Sequence, residues 1–250
     1  MTADLTGRVA VVTGAARNIG RAIALELGRG GASVTINALA SVAAASAVAR
    51  EVESLGGRAL VQLADVSDPA GAGQLVDATV ARFGGIDILV NNAAIRRETP
   101  FAELDFEEWR AVCGVTLDGA YLCARAALPW LRRSDRGTIV NIGGMTASSG
   151  AAGRAHVIAA KAGLAGLTRA LAHDLAPDGI TVNCVAPGLI ATARGHTAGG
   201  TPAHHARNRT LLGRRGGPDE IAAAVRFLCG PGARYITGQT LHANGGAYLC

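Results

Sequence analysis

The chain has 250 residues, enough for one large core, and is 49% hydrophobic but only 4% aromatic. Its formal net charge is +5, yet the arginines are scattered beyond the short pairs Arg96–Arg97, Arg132–Arg133 and Arg214–Arg215, so no nucleic-acid surface is expected. No window of about 18 uninterrupted apolar residues occurs, and the N-terminus lacks a basic stretch leading into an apolar one; neither a membrane span nor a signal peptide is expected.

In chain order, "RVAVVT" (8–13) reads as the first strand, and a Gly-punctuated turn opens a helical stretch at 18–30. Strand "ASVTIN" (32–37) precedes an Ala-rich helix at 41–56, and "ALVQLA" (59–64) precedes a helix at 69–83. "IDILVN" (86–91) leads into a long helical segment at 104–131. "GTIVNI" (137–142) is followed by a helix at 151–176, and "GITVNCV" (179–185) by a helix at 218–229 before a last strand, "ITGQTLH" (236–242). Most strands are apolar without alternation, as expected of parallel strands covered on both faces. Strand–helix alternation therefore predicts a doubly wound α/β sheet of about seven strands. The stretch 188–218, rich in Gly, His and Arg, is too long for an ordinary connection and reads as a lid, a binding loop or a disordered segment.

Five widely spaced cysteines (Cys113, Cys123, Cys184, Cys229 and Cys250) form no CxxC pair. They read as reduced thiols, small buried hydrophobes of a cytoplasmic protein. Lys161 is the single lysine among 24 basic residues, which marks its position.

After the first strand, "TGAARNIGRAIALEL" places Gly14 and Gly20 around a turn that opens a helix. Such a turn lets backbone approach a pyrophosphate, which the helix N-terminus attracts. This stretch resembles the short-chain dehydrogenase/reductase family, whose fingerprint is TGxxxGxG, with Asn18 in place of the middle glycine. Asn tolerates left-handed backbone, so the turn is expected to survive. The resemblance covers essentially the whole chain and implies one Rossmann domain over residues 1–250, helices on both faces of its sheet, and a substrate loop at about 188–218. It implies dinucleotide contacts from Gly14, Arg17, Asn18, Ile19 and Gly20. It adds Asp65 and Val66 ("ADV") at the adenine, and Asn92 and Ala93 within "NNAA", where Ala94 replaces the family's glycine. Pro187, Gly188, Ile190 and Thr192 ("APGLIAT") are implied at the nicotinamide amide. "GQTLHANGG" (238–246) looks like the C-terminal segment that packs in family oligomers, implying a homodimer or homotetramer.

In NAD-preferring relatives an acid ends the second strand; here Ala38 occupies that place, and Arg17 offers a guanidinium suited to a 2′-phosphate. NADP(H) is expected, with NAD(H) as the alternative.

The resemblance also implies a Tyr acid/base, a Lys four residues on that holds the ribose and lowers the Tyr pKa, a Ser that polarises the substrate oxygen, and an Asn that supports a water relay. Lys161 matches the lysine. Val157 stands at the Tyr position, Gly144 at the Ser position and Thr116 at the Asn position. Spacing of i and i+4 puts Val157 and Lys161 on one helix face, but valine cannot move a proton.

His156 is the candidate replacement acid/base, although it projects roughly 140° around a helix from Lys161. Ser148 and Ser149 are candidate hydroxyls, more commonly helix caps. His196, His204 and His205 lie in the long loop without a completing ligand set, so no metal is expected. Arg96, Arg97, Arg154 and Arg194 are candidates for holding an acidic substrate. The leading expectation is an NADP(H)-dependent oxidoreductase acting on a small carbonyl, alcohol or imine with a non-standard proton donor; an iminium arrives already protonated. The alternative is an inactive dinucleotide-binding pseudoenzyme or oligomer partner. A non-redox reaction on the same scaffold ranks last.

Overall fold

The computed structural model describes residues 4–193 and 210–249. Seven strands form one sheet in the order β3-β2-β1-β4-β5-β6-β7, and every pairing is parallel. The strands are β1 (Val9–Val12), β2 (Ser33–Ala38), β3 (Arg58–Leu63), β4 (Ile88–Asn91), β5 (Thr138–Ile142), β6 (Thr181–Pro187) and β7 (Thr240–Ala243). The order reverses between β1 and β4, the switch point above whose strand C-termini doubly wound sheets bind ligands.

The helices are α1 (Asn18–Arg29), α2 (Val42–Ser54), α3 (Pro69–Phe83), α4 (Phe106–Cys113), α5 (Gly119–Leu131), α6 (Thr146–Ser149), α7 (Ala155–Leu175) and, among the described residues, a last one that we number α8 (Pro218–Cys229). Successive strand residues point to opposite faces, and the core divides accordingly. Ala10, Val12, Ile88 and Val90 pack under α1, α2 and α8. Val11 and Leu89 pack under α3, α5 and α7. Local chemistry sets several starts: Asp68 caps α3 by accepting from Gly71 N at 2.9 Å, and Asp105 caps α4 by accepting from Glu108 N at 2.7 Å.

Two expected helices differ in detail. The stretch 104–131 is not one continuous α-helix: α4 and α5 are joined by a π-helical turn, Gly114–Asp118. The run Phe106–Leu131 is apolar enough on average to cross a membrane by length and composition, yet Cys123, Ala127 and Leu131 are buried in the core with α3. The helix expected from 151 starts at Ala155, because Gly153 takes a φ of 69° and delays the first helical residue.

Candidate active site

The Gly-rich turn is built by close approach. A Cβ on Gly20 would lie 2.4 Å from Gly14 O and 2.5 Å from Asn92 Nδ2, and one on Gly14 would lie 2.9 Å from Ala93 Cα. Gly14 O and Ala93 Cα are backbone and cannot yield, so both positions demand glycine. Asn18 adopts a φ of 52° and is the single non-glycine residue with positive φ among the described residues. The left-handed turn therefore survives with Asn at the middle position. Ile19 and Gly20 are buried in the first turn of α1, while Arg17 is exposed in extended conformation just before it.

Side chains from neighbouring strands lock this turn. Asn92 Nδ2 donates to Thr13 O at 2.9 Å and Gly14 O at 3.0 Å. Thr13 Oγ1 accepts from Asn92 N at 2.9 Å and Ala93 N at 3.0 Å. Gly14 N donates to Asn37 Oδ1 at 3.2 Å, and Asn37 Nδ2 reaches Ala64 O at 3.1 Å. Thr13 and Asn37 are absent from the sequence expectations. The signal available was a polar residue ending each of two apolar strands.

At one end of the candidate site, β2 closes on buried Ala38. Asp65 is exposed, and its Oδ1 accepts from Ser67 N at 2.9 Å and Ser67 Oγ at 2.6 Å. Val66 is buried beside Gly119. At the opposite end, Pro187 closes β6 and Gly188 approaches Asn244 so closely that a Cβ would lie 2.6 Å from its Cα. Ile190 pairs with Gly216 in an isolated bridge, and Thr192 N donates to Ile190 O at 3.0 Å.

Lys161 lies on α7 one turn after buried Val157, is 7% exposed, and donates from Nζ to Ile142 O. Burial lowers its pKa to about 8; Cys184 opposes the fall, while Arg96 and Arg154 deepen it. Those two guanidiniums therefore act on the ammonium, and Arg154 also lies 4.0 Å from Glu98. Arg96 and Arg97 are exposed. Arg194, His196, His204 and His205 lie outside the described residues.

A cavity of about 200 Å³ meets Lys161, lined also by Gly143, Gly144, Ser148, Cys184 and His242. A Cβ on Gly144 would meet nothing within 4 Å, whereas one on Gly143 would lie 2.7 Å from Cys184 Sγ. Ser149 stays with local backbone, its Oγ 3.4 Å from Met145 O. Thr116 sits in the π-helical turn, 3% exposed, and its Oγ1 has no hydrogen-bond partner.

The structure separates His156 from this cavity. Its ring is fully buried, and Nε2 lies 3.2 Å from Glu108 Oε1 on α4. Glu108 Oε1 also accepts from Thr99 Oγ1 at 2.8 Å. The histidine's surroundings are thus a partly buried carboxylate and packed helix, and the ring itself has no exposed surface. The rotation between residues 156 and 161 on α7 accounts for this placement. Among the described residues, no cluster of three His, Cys, Asp or Glu side chains is placed to hold a metal ion.

Comparison with known proteins agrees with this geometry. The family model described as enoyl-(acyl carrier protein) reductase matches residues 14–248. A 3-oxoacyl-[acyl-carrier-protein] reductase of Synechocystis is 42% identical over the full length of both chains. One from Vibrio cholerae is 39% identical, covering 98% of this chain and 99% of that protein. A short-chain dehydrogenase from Burkholderia cenocepacia, solved in complex with NADP, superposes with a TM-score of 0.91 at 40% identity, covering 98% of this chain and 99% of the other. A metagenomic blue fluorescent protein solved with NADPH gives a TM-score of 0.89 at 36% identity, over 98% of this chain and 100% of the other. With its seven parallel strands, glycine turn and buried helix lysine, this chain belongs to the short-chain dehydrogenase/reductase family of oxidoreductases.

Proposed function

We propose that the protein is an NADP(H)-dependent oxidoreductase for a small carbonyl, alcohol or imine, with a proton donor other than tyrosine. The observation that carries this reading is Lys161, buried beside a cavity of about 200 Å³. The residues fit the cofactor: the glycine turn lets the start of α1 meet a pyrophosphate, and Asp65 is exposed where the adenine would lie. Exposed Arg17 and carboxylate-free Ala38 favour a 2′-phosphate over a bare ribose hydroxyl. The two structural relatives solved with NADP and NADPH point the same way.

When bound, the cofactor supplies or accepts the hydride. Lys161 anchors the ribose and keeps the cavity cationic. Thr116 Oγ1, buried and unpartnered, would hold a water in the proton path. Ser148 and Thr240 offer hydroxyls on the cavity wall. Val157 and Gly144, at the Tyr and Ser positions, donate nothing, so the proton comes from water, from Lys161 or from an iminium substrate. His156 contributes through Glu108 and Thr99, holding the wall behind α7. Arg96 and Arg154, close enough to depress Lys161, favour an acidic substrate. The 3-oxoacyl group named for the curated relatives is one carbonyl to include. The four described cysteines are free thiols, in keeping with a reducing cytoplasm.

The test is turnover. Cyclic imines, 2-oxo acids and a short 3-oxoacyl thioester are incubated with NADPH and followed by its absorbance. Oxidation dependent on one of these classes, and lost in Lys161→Ala, supports the reading. Tight NADPH binding with no turnover of any would replace it with a non-catalytic dinucleotide-binding role.

A further inference from the structure

Three basic side chains line the cavity beside Lys161. Lys161 and Arg169 stand about two turns apart on α7, and His242 reaches the same cavity from β7. Burial raises the pKa of the Cys184 thiol on the cavity wall, and Lys161 and Arg169 both oppose that rise. The two cations therefore act on one point.

No carboxylate is among the described residues that line this cavity. Lys161 Nζ donates to a backbone carbonyl, Ile142 O. Arg169 forms no ion pair among the described residues, whereas Arg8, Arg21, Arg132, Arg214 and Arg226 each meet a carboxylate. His242 Nδ1 is buried without a hydrogen-bond partner. Cations on a shared wall repel each other, and a buried charge is costly unless paired. An anion in the cavity relieves both penalties. Its volume, about 200 Å³, falls below the roughly 300–1,000 Å³ of sites for drug-sized ligands, so the occupant has only a few carbons. A Cβ on Gly144 would meet nothing within 4 Å, which leaves room for a reacting carbon near Lys161.

We propose that this cavity is an anion subsite in which Arg169 and His242 hold the carboxylate of a small oxo acid, or of the imine derived from it, with its C=O or C=N carbon beside Lys161. The guanidinium offers a carboxylate two parallel N–H donors, and so selects a free acid over a neutral ketone or a thioester. The subsite's part in hydride transfer rests on the cofactor reading above; the anion site itself does not.

The experiment is isothermal titration calorimetry of 2-oxobutyrate and of its neutral counterpart, 2-oxobutyramide. The proteins are wild type, Arg169→Met and His242→Phe, each with and without NADP+, and thermal unfolding checks all three. Arg169 is exposed, so its loss leaves the fold intact, and phenylalanine keeps a ring against Tyr248, whose centroid lies 5.3 Å from that of His242. Wild type should bind the acid more tightly than the amide by about tenfold or more, roughly 1.4 kcal/mol. Both variants should weaken the acid and leave the amide unchanged. Equal affinity of wild type for acid and amide would overturn the proposal. So would acid affinity unchanged in Arg169→Met, or no acid binding by folded wild type. Wild type that binds the acid but no NADP+ would uphold the anion subsite and overturn the cofactor reading, so the two failures are told apart.

Discussion

Replacing Lys161 by Met should make the protein more stable and abolish its cofactor site. Methionine is unbranched, apolar and of similar reach, so it fills the same space without a charge. Burial is the largest reason that the Lys161 pKa falls from 10.5 to about 8, and Arg96 and Arg154 add to it. At about 1.4 kcal/mol per pH unit, that displacement is a penalty of roughly 3 kcal/mol on the folded state when the amine is charged. Loss of the hydrogen bond to Ile142 O returns about 1 kcal/mol, leaving a net gain near 2 kcal/mol at pH 7. The penalty is full below the folded-state value of about 8. It disappears as pH rises through the unfolded value of 10.5, because the unfolded chain then binds more protons than the folded one. Urea unfolding of both chains at pH 7 and again near pH 10 measures this. The Met variant should lead at pH 7 and lose its lead at the higher pH. A variant less stable than wild type at pH 7, or a gap independent of pH, would refute the reasoning.

Adjacent glycines should respond in opposite ways. Gly144→Ser enters open space and should change stability by no more than about 0.5 kcal/mol, while raising carbonyl turnover by restoring a hydroxyl beside Lys161. Gly143→Ser meets Cys184 Sγ at 2.7 Å and should cost about 1–3 kcal/mol; denaturant midpoints separate the two. Arg17→Glu should weaken NADPH binding by about tenfold or more while NADH binding changes little, read by parallel titrations. His156→Ala should lose about 2–3 kcal/mol by leaving a void where a fully buried ring packs. The shape of its pH–rate profile should match wild type; loss of one limb would return His156 to the proton path.

The glycine turn was legible because its steric demand is local: Gly14 and Gly20 stand a few residues apart and touch backbone. Asn18 was legible in part. Its tolerance of positive φ follows from residue type, but its side-chain hydrogen bonds to Ala193 join points far apart in sequence. Strand identity followed from apolar runs, whereas strand starts did not. The run 86–91 begins pairing only at Ile88 and 236–242 only at Thr240, because the ladder is fixed by its neighbours. The break in 104–131 was hidden for a related reason. A π-helical turn has the composition of the helix around it, and it differs by a hydrogen-bond register rather than by a residue. His156 shows helical phase at work. Its sequence neighbour Val157 shares a face with Lys161, but the histidine itself is turned to Glu108 on α4. The polar chain through Asn91, Asn141 and Thr168, with bonds of 2.9 Å, required the packing of α7 on the sheet and has no local signature.

The central claim is that the crevice takes a phosphorylated nicotinamide dinucleotide and that Lys161 anchors it. The most direct measurement is a fluorescence titration of NADPH and NADH into wild type and Lys161→Ala. Tighter binding of NADPH than NADH by wild type, lost in the variant, is the predicted result. Binding of neither nucleotide by wild type, or equal NADPH affinity in the variant, would contradict the account.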